Sequence, residues 1–331
     1  MRAPAIRPPR HWYRSSTLTW LLLPASALFR IIVYARRLAY RLHLLKSESA
    51  GIPVIVVGNL VVGGSGKTPL ALWIAEYLKD AGWSPAIVLR GYGGDARAPM
   101  PVSITTDPAR SGDEALLLAR RSRCPVWVGA DRVQAARALR AANPQVDVLV
   151  LDDGLQHYAL RRDIEIVVVD ARGFGNALML PAGPLREPVS RLRSVDAVVS
   201  HGAKVGGFAM RLEPEDAMRV GNALERRPLS AFAGKRVHAV AGIGDPERFF
   251  RQLSASEVDV IPHPFPDHHP LTAQDMAFGE GATVMMTEKD AVKLRGESAN
   301  RARRDWWVLP VRAELDPAFG PWLTHRLRDG K

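Results

Sequence analysis

"PVIVVGNLVVGGSGKTPLALWIAEYLKDAG", residues 53–82, reads as a buried strand, a glycine loop and a helix in immediate succession. The valine and isoleucine run 53–57 has the composition of a strand covered on both faces. Gly63, Gly64 and Gly66 let the backbone curl so that successive N–H groups face an anion. The helix that follows adds positive potential at its N-terminus. With Ser65 between the glycines, Lys67 is placed to hold β- and γ-phosphates and Thr68 to ligate Mg²⁺, so residues 63–68 form a candidate nucleotide site. The strict pattern asks for glycine at 61, where Val61 stands. The strand before the loop and the helix after it nevertheless outweigh a chance Gly-Ser turn.

The chain around this unit repeats its alternation. The runs 85–89, 125–128, 146–151, 164–169 and 195–200 read as further buried strands, and 68–82, 112–122 and 131–142 as helices, with Asp131 as an N-cap. Such alternation predicts an α/β fold, a P-loop NTPase-type, mostly parallel sheet with helices on both faces. In such sheets ligands bind at the carboxyl ends of the strands. Near residue 206 the pattern breaks into short runs with Gly, Pro and Asn, which suggests a two-stranded connector. Strands at 236–243, 257–262, 282–287 and 306–311, with helices from Asp245 and Glu288, then predict a smaller second α/β domain.

The front of the chain is different in kind. Residues 1–50 hold nine basic residues against Glu48 alone, so they carry eight of the eleven net positive charges of the whole chain. A basic stripe on the folded body, the usual mark of nucleic-acid binding, is not suggested. Fifteen uncharged residues lie between Arg14 and Arg30, interrupted by Pro24, and Ile31, Tyr34, Leu38, Leu42 and Leu45 then follow helical spacing. A basic amphipathic helix of this kind suits a membrane surface bearing anionic lipid. A cleaved signal peptide and a helix packed on the protein's own core are the competing readings. The lone Cys124 excludes an internal disulfide and reads as a small buried hydrophobe.

One acidic pair and one histidine-rich turn carry further chemistry. "VDVLVLDD" (146–153) ends an apolar strand in Asp152 and Asp153, where a P-loop protein keeps a carboxylate for Mg²⁺. "HPFPDHH" (263–269) places three histidines beside Asp267. Metal binding, a surface turn and acid–base chemistry all remain open for it, although the spacing matches no common zinc pattern.

Together "GNLVVGGSGKTP" (58–69), "LRGYGG" (89–94), "GDEALLLA" (112–119), "DDGLQH" (152–157), "LPAGPLREP" (180–188), "FPDHH" (265–269) and "TEKDAVKL" (287–294) resemble, in this order, the tetraacyldisaccharide 4′-kinases, which make lipid A in Gram-negative bacteria. The resemblance implies transfer of the γ-phosphate of ATP, with Mg²⁺, to the 4′-hydroxyl of a lipid-bearing glucosamine disaccharide 1-phosphate at the cytoplasmic face of the inner membrane. It implies a catalytic dyad of Asp113, accepting the hydroxyl proton, and His268, orienting it. It further implies Glu114, Asp152 and Asp153 near Mg²⁺ with Thr68, and Arg90 and Tyr92 near the acceptor. The expected organisation is a membrane-associated segment at 1–50, a nucleotide domain at 51–206, a β-ribbon at 207–228 and a smaller α/β domain at 229–331. The lipid A precursor and the membrane surface are the expected partners, with no nucleic acid and no obligatory protein. The rival reading is a membrane-surface P-loop ATPase or GTPase switch. Its guanine-reading motif is spoiled by Glu288, which stands where that motif has lysine.

Overall fold

The apolar runs become strands that are covered from both sides. The computed structural model describes residues 9–14, 16–203, 205–267, 269–272, 274–278, 281–294 and 305–329. Its first eight strands are β1 (Val54–Gly58), β2 (Pro85–Leu89), β3 (Met100–Val102), β4 (Val126–Val128), β5 (Val148–Asp152), β6 (Ile164–Asp170), β7 (Ala197–His201) and β8 (Phe208–Pro214). They lie side by side in the order β8-β7-β6-β1-β5-β2-β4-β3. All of these pairings are parallel except that of β3 with β4. β1, which feeds the glycine loop, sits between β5 and β6, so the strand ends at Asp152 and Asp170 flank the loop.

Helices α1 (Thr17–Arg41), α2 (Lys67–Asp80), α3 (Pro108–Ser111), α4 (Asp113–Arg121) and α5 (Arg132–Ala142) belong to this half of the chain. In α2, Leu70, Ala71, Ile74, Ala75 and Leu78 recur at helical spacing and are buried in the core on one face of the sheet. Val133, Ala135, Ala136 and Leu139 of α5 pack into the core on the other face. Each large apolar side chain buried in this way contributes roughly 1.5–3 kcal/mol. Asp131 caps α5, accepting from the Val133 and Gln134 amides, as the sequence suggested. Cys124 packs against the first core, and burial pushes its thiol up.

The connector spans two sheets. β8 extends the large sheet, whereas β9 (Ala217–Arg219) and β10 (Asn222–Arg227) open a second one. That sheet is completed by β11 (Arg236–Ala241), β12 (Asp259–Pro264), β13 (Val284–Thr287) and β14 (Trp306–Leu309), in the order β10-β9-β14-β13-β11-β12. Helix α6 (Pro246–Ala255), capped by Asp245, and the single turn α7 (Glu288–Ala291) belong to it. The chain then returns. β15 (Val311–Leu315) pairs antiparallel with β8, and α8 (Phe319–Asp329) buries Phe319, Leu323 and Leu327 in the first core. The sequence placed these last residues in the smaller domain. They join the larger one because the apolar stripe of α8 fills the space beside Trp73 and Tyr77 of α2.

Candidate active site

The glycine loop runs from the end of β1 to the N-terminus of α2. Gly66 caps α2 in the left-handed region at φ 88°, and Gly63 lies at φ 103°. What the sequence did not disclose is how the loop is held. The fully buried Asn59 donates from Nδ2 to the Gly63 carbonyl (3.2 Å) and to Ser65 Oγ (2.8 Å). Arg186 donates in turn to Asn59 and, at 2.9 and 3.2 Å, to both oxygens of Asp153. From the other side Arg172 donates to the Gly64 carbonyl while its Nε holds Asp170 at 2.9 Å. Lys67 Nζ lies 3.5 Å from the Gly63 carbonyl and 3.8 Å from Asp153.

Asp152, at the end of β5, accepts from the Thr68 hydroxyl at 2.8 Å through Oδ2. Its Oδ1 is buried and has no hydrogen-bond partner. Burial, and then the charge of Glu114, raise this carboxyl above its ordinary range. Asp153 is the opposite case. Burial pushes it up, but Lys67 and Arg186 outweigh that and hold it below the ordinary range. A hydroxyl beside a buried carboxylate oxygen without a partner fits a divalent cation. Among the described residues no cluster of three His, Cys, Asp or Glu side chains stands ready for a metal.

Asp113 opens α4 and is almost fully buried. Gly112 before it sits at φ 84°, and an added Cβ would stand 2.3 Å from the Tyr92 carbonyl oxygen. The segments "LRGYGG" and "GDE" are therefore pressed together through their glycines. The second domain reaches this point through α7. Lys289 Nζ lies 3.0 Å from Glu114, 2.9 Å from Asp267 and 3.9 Å from Asp113, and Lys293 Nζ lies 3.8 Å from Asp113. Burial opposes the Lys289 charge, but Glu114, Asp113 and Asp267 outweigh it and raise its pKa.

A cleft of about 420 Å³ runs between the two sheets. Gly64–Thr68, Glu114 and Arg172 line one side of it, and Ile243, Arg248, Asp267 and Lys289 the other. An added Cβ at Gly244 would meet the Gly64 nitrogen at 2.9 Å, so the smaller domain is seated directly on the loop. Residues 64–68 and Glu114 thus line one opening, with Asp152 held against Thr68 and Asp113 preceding Glu114 at the start of α4. Arg90 and Tyr92 are exposed on the loop after β2 and do not line the cleft. His268 lies outside the described residues. Asn59, Arg172, Arg186, Arg248, Lys289 and Lys293 were not singled out from the sequence. Arg172 carried a legible signal, since it follows a strand that pairs with the one feeding the loop.

A glycine loop between a strand of a mostly parallel sheet and a helix, with a hydroxyl–carboxylate pair beside it and a second sheet's loop seated on it, has the features of a nucleotide-dependent phosphotransferase. The family model for tetraacyldisaccharide-1-P 4′-kinase matches residues 18–328. A tetraacyldisaccharide 4′-kinase of Nitrosococcus oceani is 50% identical over 96% of this chain and 94% of its own length. One of Methylobacillus flagellatus is 48% identical over 96% and 95%. A crystal structure of LpxK from Aquifex aeolicus in complex with ATP superposes with a TM-score of 0.79 at 28% identity, covering 94% of this chain and all of that one. The chain belongs to the tetraacyldisaccharide 4′-kinase family, and it is a kinase.

Proposed function

We infer that the protein transfers the γ-phosphate of ATP to the 4′-hydroxyl of a tetraacylated glucosamine disaccharide 1-phosphate, yielding the 4′-phosphorylated lipid A precursor. Family membership supports the substrate class. The observation that carries the chemistry is that the loop 64–68, Glu114 of the Asp113 helix and Asp267 of the smaller domain all face one cleft. The triphosphate lies along the Gly63–Thr68 amides, with Lys67 against its terminal phosphates. Thr68 and Asp152 would hold Mg²⁺, with Glu114 and Asp153 nearby. When bound, the ion neutralises charge on the phosphate oxygens.

Asp113 accepts the proton of the 4′-hydroxyl as its oxygen bonds to the γ-phosphorus and the bridging bond to ADP breaks. His268 follows Asp267 in the chain and is proposed to orient the hydroxyl. Arg90 and Tyr92, exposed near the GDE turn, are proposed to receive the acceptor headgroup. Helix α1 is proposed to seat the protein on the cytoplasmic face of the inner membrane.

The test offers γ-labelled ATP with and without the lipid disaccharide. Label appears in the lipid, and Asp113→Ala lowers transfer by roughly 10²–10⁴. Hydrolysis without transfer would point to a nucleotide switch instead, and an Asp113→Ala rate equal to wild type would remove Asp113 from the chemistry.

A further inference from the structure

We propose that Lys289 is a positioning residue, a crosspiece that fixes the Asp267 turn of the smaller domain against the N-terminus of α4. The proposal rests on the reading of Asp113 as the proton acceptor. Lys289 bridges the residue that follows Asp113, Glu114 (3.0 Å), and the residue that precedes His268, Asp267 (2.9 Å). It is thus a single side chain in contact with the chain neighbours of both proposed dyad members, one on each domain.

Its own platform is rigid. Thr287 caps α7 by accepting from the Asp290 amide. Asp290 is fully buried and accepts from the Gly242 amide (3.0 Å), the Thr287 hydroxyl (2.6 Å) and Lys293 Nζ (2.9 Å). Lys293 closes the ring by donating to the Gly242 carbonyl at 2.7 Å.

The residue before Lys289 grips the other end of the same helix. Glu288 accepts from Arg121 at 2.8 Å, and Arg121 also pairs with Glu215 at 2.9 Å. Consecutive residues Glu288 and Lys289 therefore hold α4 at its basic and acidic ends. Exposed ion pairs contribute little, but the Lys289 side chain is only 15% exposed and serves three carboxylates. Without its charge Glu114 and Asp267 repel across the domain boundary, and the two halves of the site separate.

Lys289→Met is expected to lower kcat about 100-fold, the effect of an error of about 1 Å in placement. The nucleotide Kd, measured with a fluorescent ATP analogue, should change by less than about threefold, since the loop contacts of the phosphates are intact. Lys289→Arg keeps the charge and should recover kcat to within about tenfold of wild type. Asp267→Asn/Lys289→Met also removes the charge of one of the carboxylates that Lys289 contacts, and so tests the idea even if the single variant folds poorly. Its kcat should be no lower than that of Lys289→Met, because the two residues act as one unit. Multiplying losses in the double variant, or a Lys289→Met kcat within about threefold of wild type, would overturn the crosspiece. If wild type transfers label to lipid and Asp113→Ala does not, such a result removes this inference alone. A wild type without lipid transfer removes the reading beneath it as well.

Discussion

At the scale of single residues, the site shows how far a motif reports its own supports. Lys67, Thr68 and Asp152 could be read from the sequence because their neighbours in the chain define them, as a glycine loop and a strand end. Asn59 and Arg186 could not, although both lie in quoted motifs. Their role depends on a contact spanning 127 positions that only the fold creates. His157 of "DDGLQH" offers a test of the folded state at this scale. Burial, followed by the charge of Arg132, lowers its pKa from 6.5 to about 4, and its Nε2 is buried without a partner. Neutral in the fold and protonated when unfolded, it leaves stability intact above pH 6.5. That stability is lost as pH falls from there towards about 4, because only the unfolded chain takes up the proton. His157→Gln should flatten this acid dependence of the thermal midpoint. A variant with the same loss of Tm between pH 7.5 and pH 5 as wild type would assign the dependence elsewhere.

At the scale of elements, the central strands and helices α2 and α5 follow their apolar patterns closely, because the strands are covered on both faces and each of these helices buries one apolar stripe. β15 and α8 escaped that reading for a physical reason. Their period is ordinary, but nothing local says which of two sheets the stripe will cover. The turn into α4 is the reverse case, for its local rule is strict. Gly112 combines φ 84° and ψ 156° with the Tyr92 carbonyl where a Cβ would stand. That conformation is open essentially to glycine alone. Gly112→Ala is therefore expected to destabilise the protein by more than about 1 kcal/mol. It should also lower kcat more than it changes the ATP Kd, since the loop at 63–68 is untouched while Asp113 moves. Equal activity and an unchanged unfolding midpoint would show that the turn relaxes freely.

At the scale of the whole molecule, α1 is the element proposed to meet the membrane. The helix is long and apolar enough to cross a bilayer, yet one stripe of it is committed to the body. Ser26 donates to the Met179 carbonyl at 2.7 Å, Phe29 and Val33 pack on the second core, and the rings of Tyr40 and Tyr158 lie 5.7 Å apart. Crossing the membrane would strip all of these contacts from the domain that carries the loop. The opposite face presents Trp20, Leu21, Ile31, Ile32 and Tyr34, each more than half exposed, flanked by Arg30, Arg36 and Arg41. That geometry favours a helix lying in one leaflet, with its apolar face in the acyl boundary and its arginines among anionic headgroups. Burying such side chains is worth roughly 1.5–3 kcal/mol each. Leu21→Asp/Ile31→Asp/Ile32→Asp should therefore weaken binding to vesicles of mixed anionic and neutral lipid by more than about 100-fold. The body-facing stripe is untouched, so the far-UV spectrum and ATP affinity should match wild type. Added salt should release part of the wild-type protein but leave the apolar component. Trp20 fluorescence should be quenched by lipids brominated near the headgroup rather than at the chain ends. Quenching at the bilayer centre, or labelling of residues 9–16 from the vesicle lumen, would show a spanning helix.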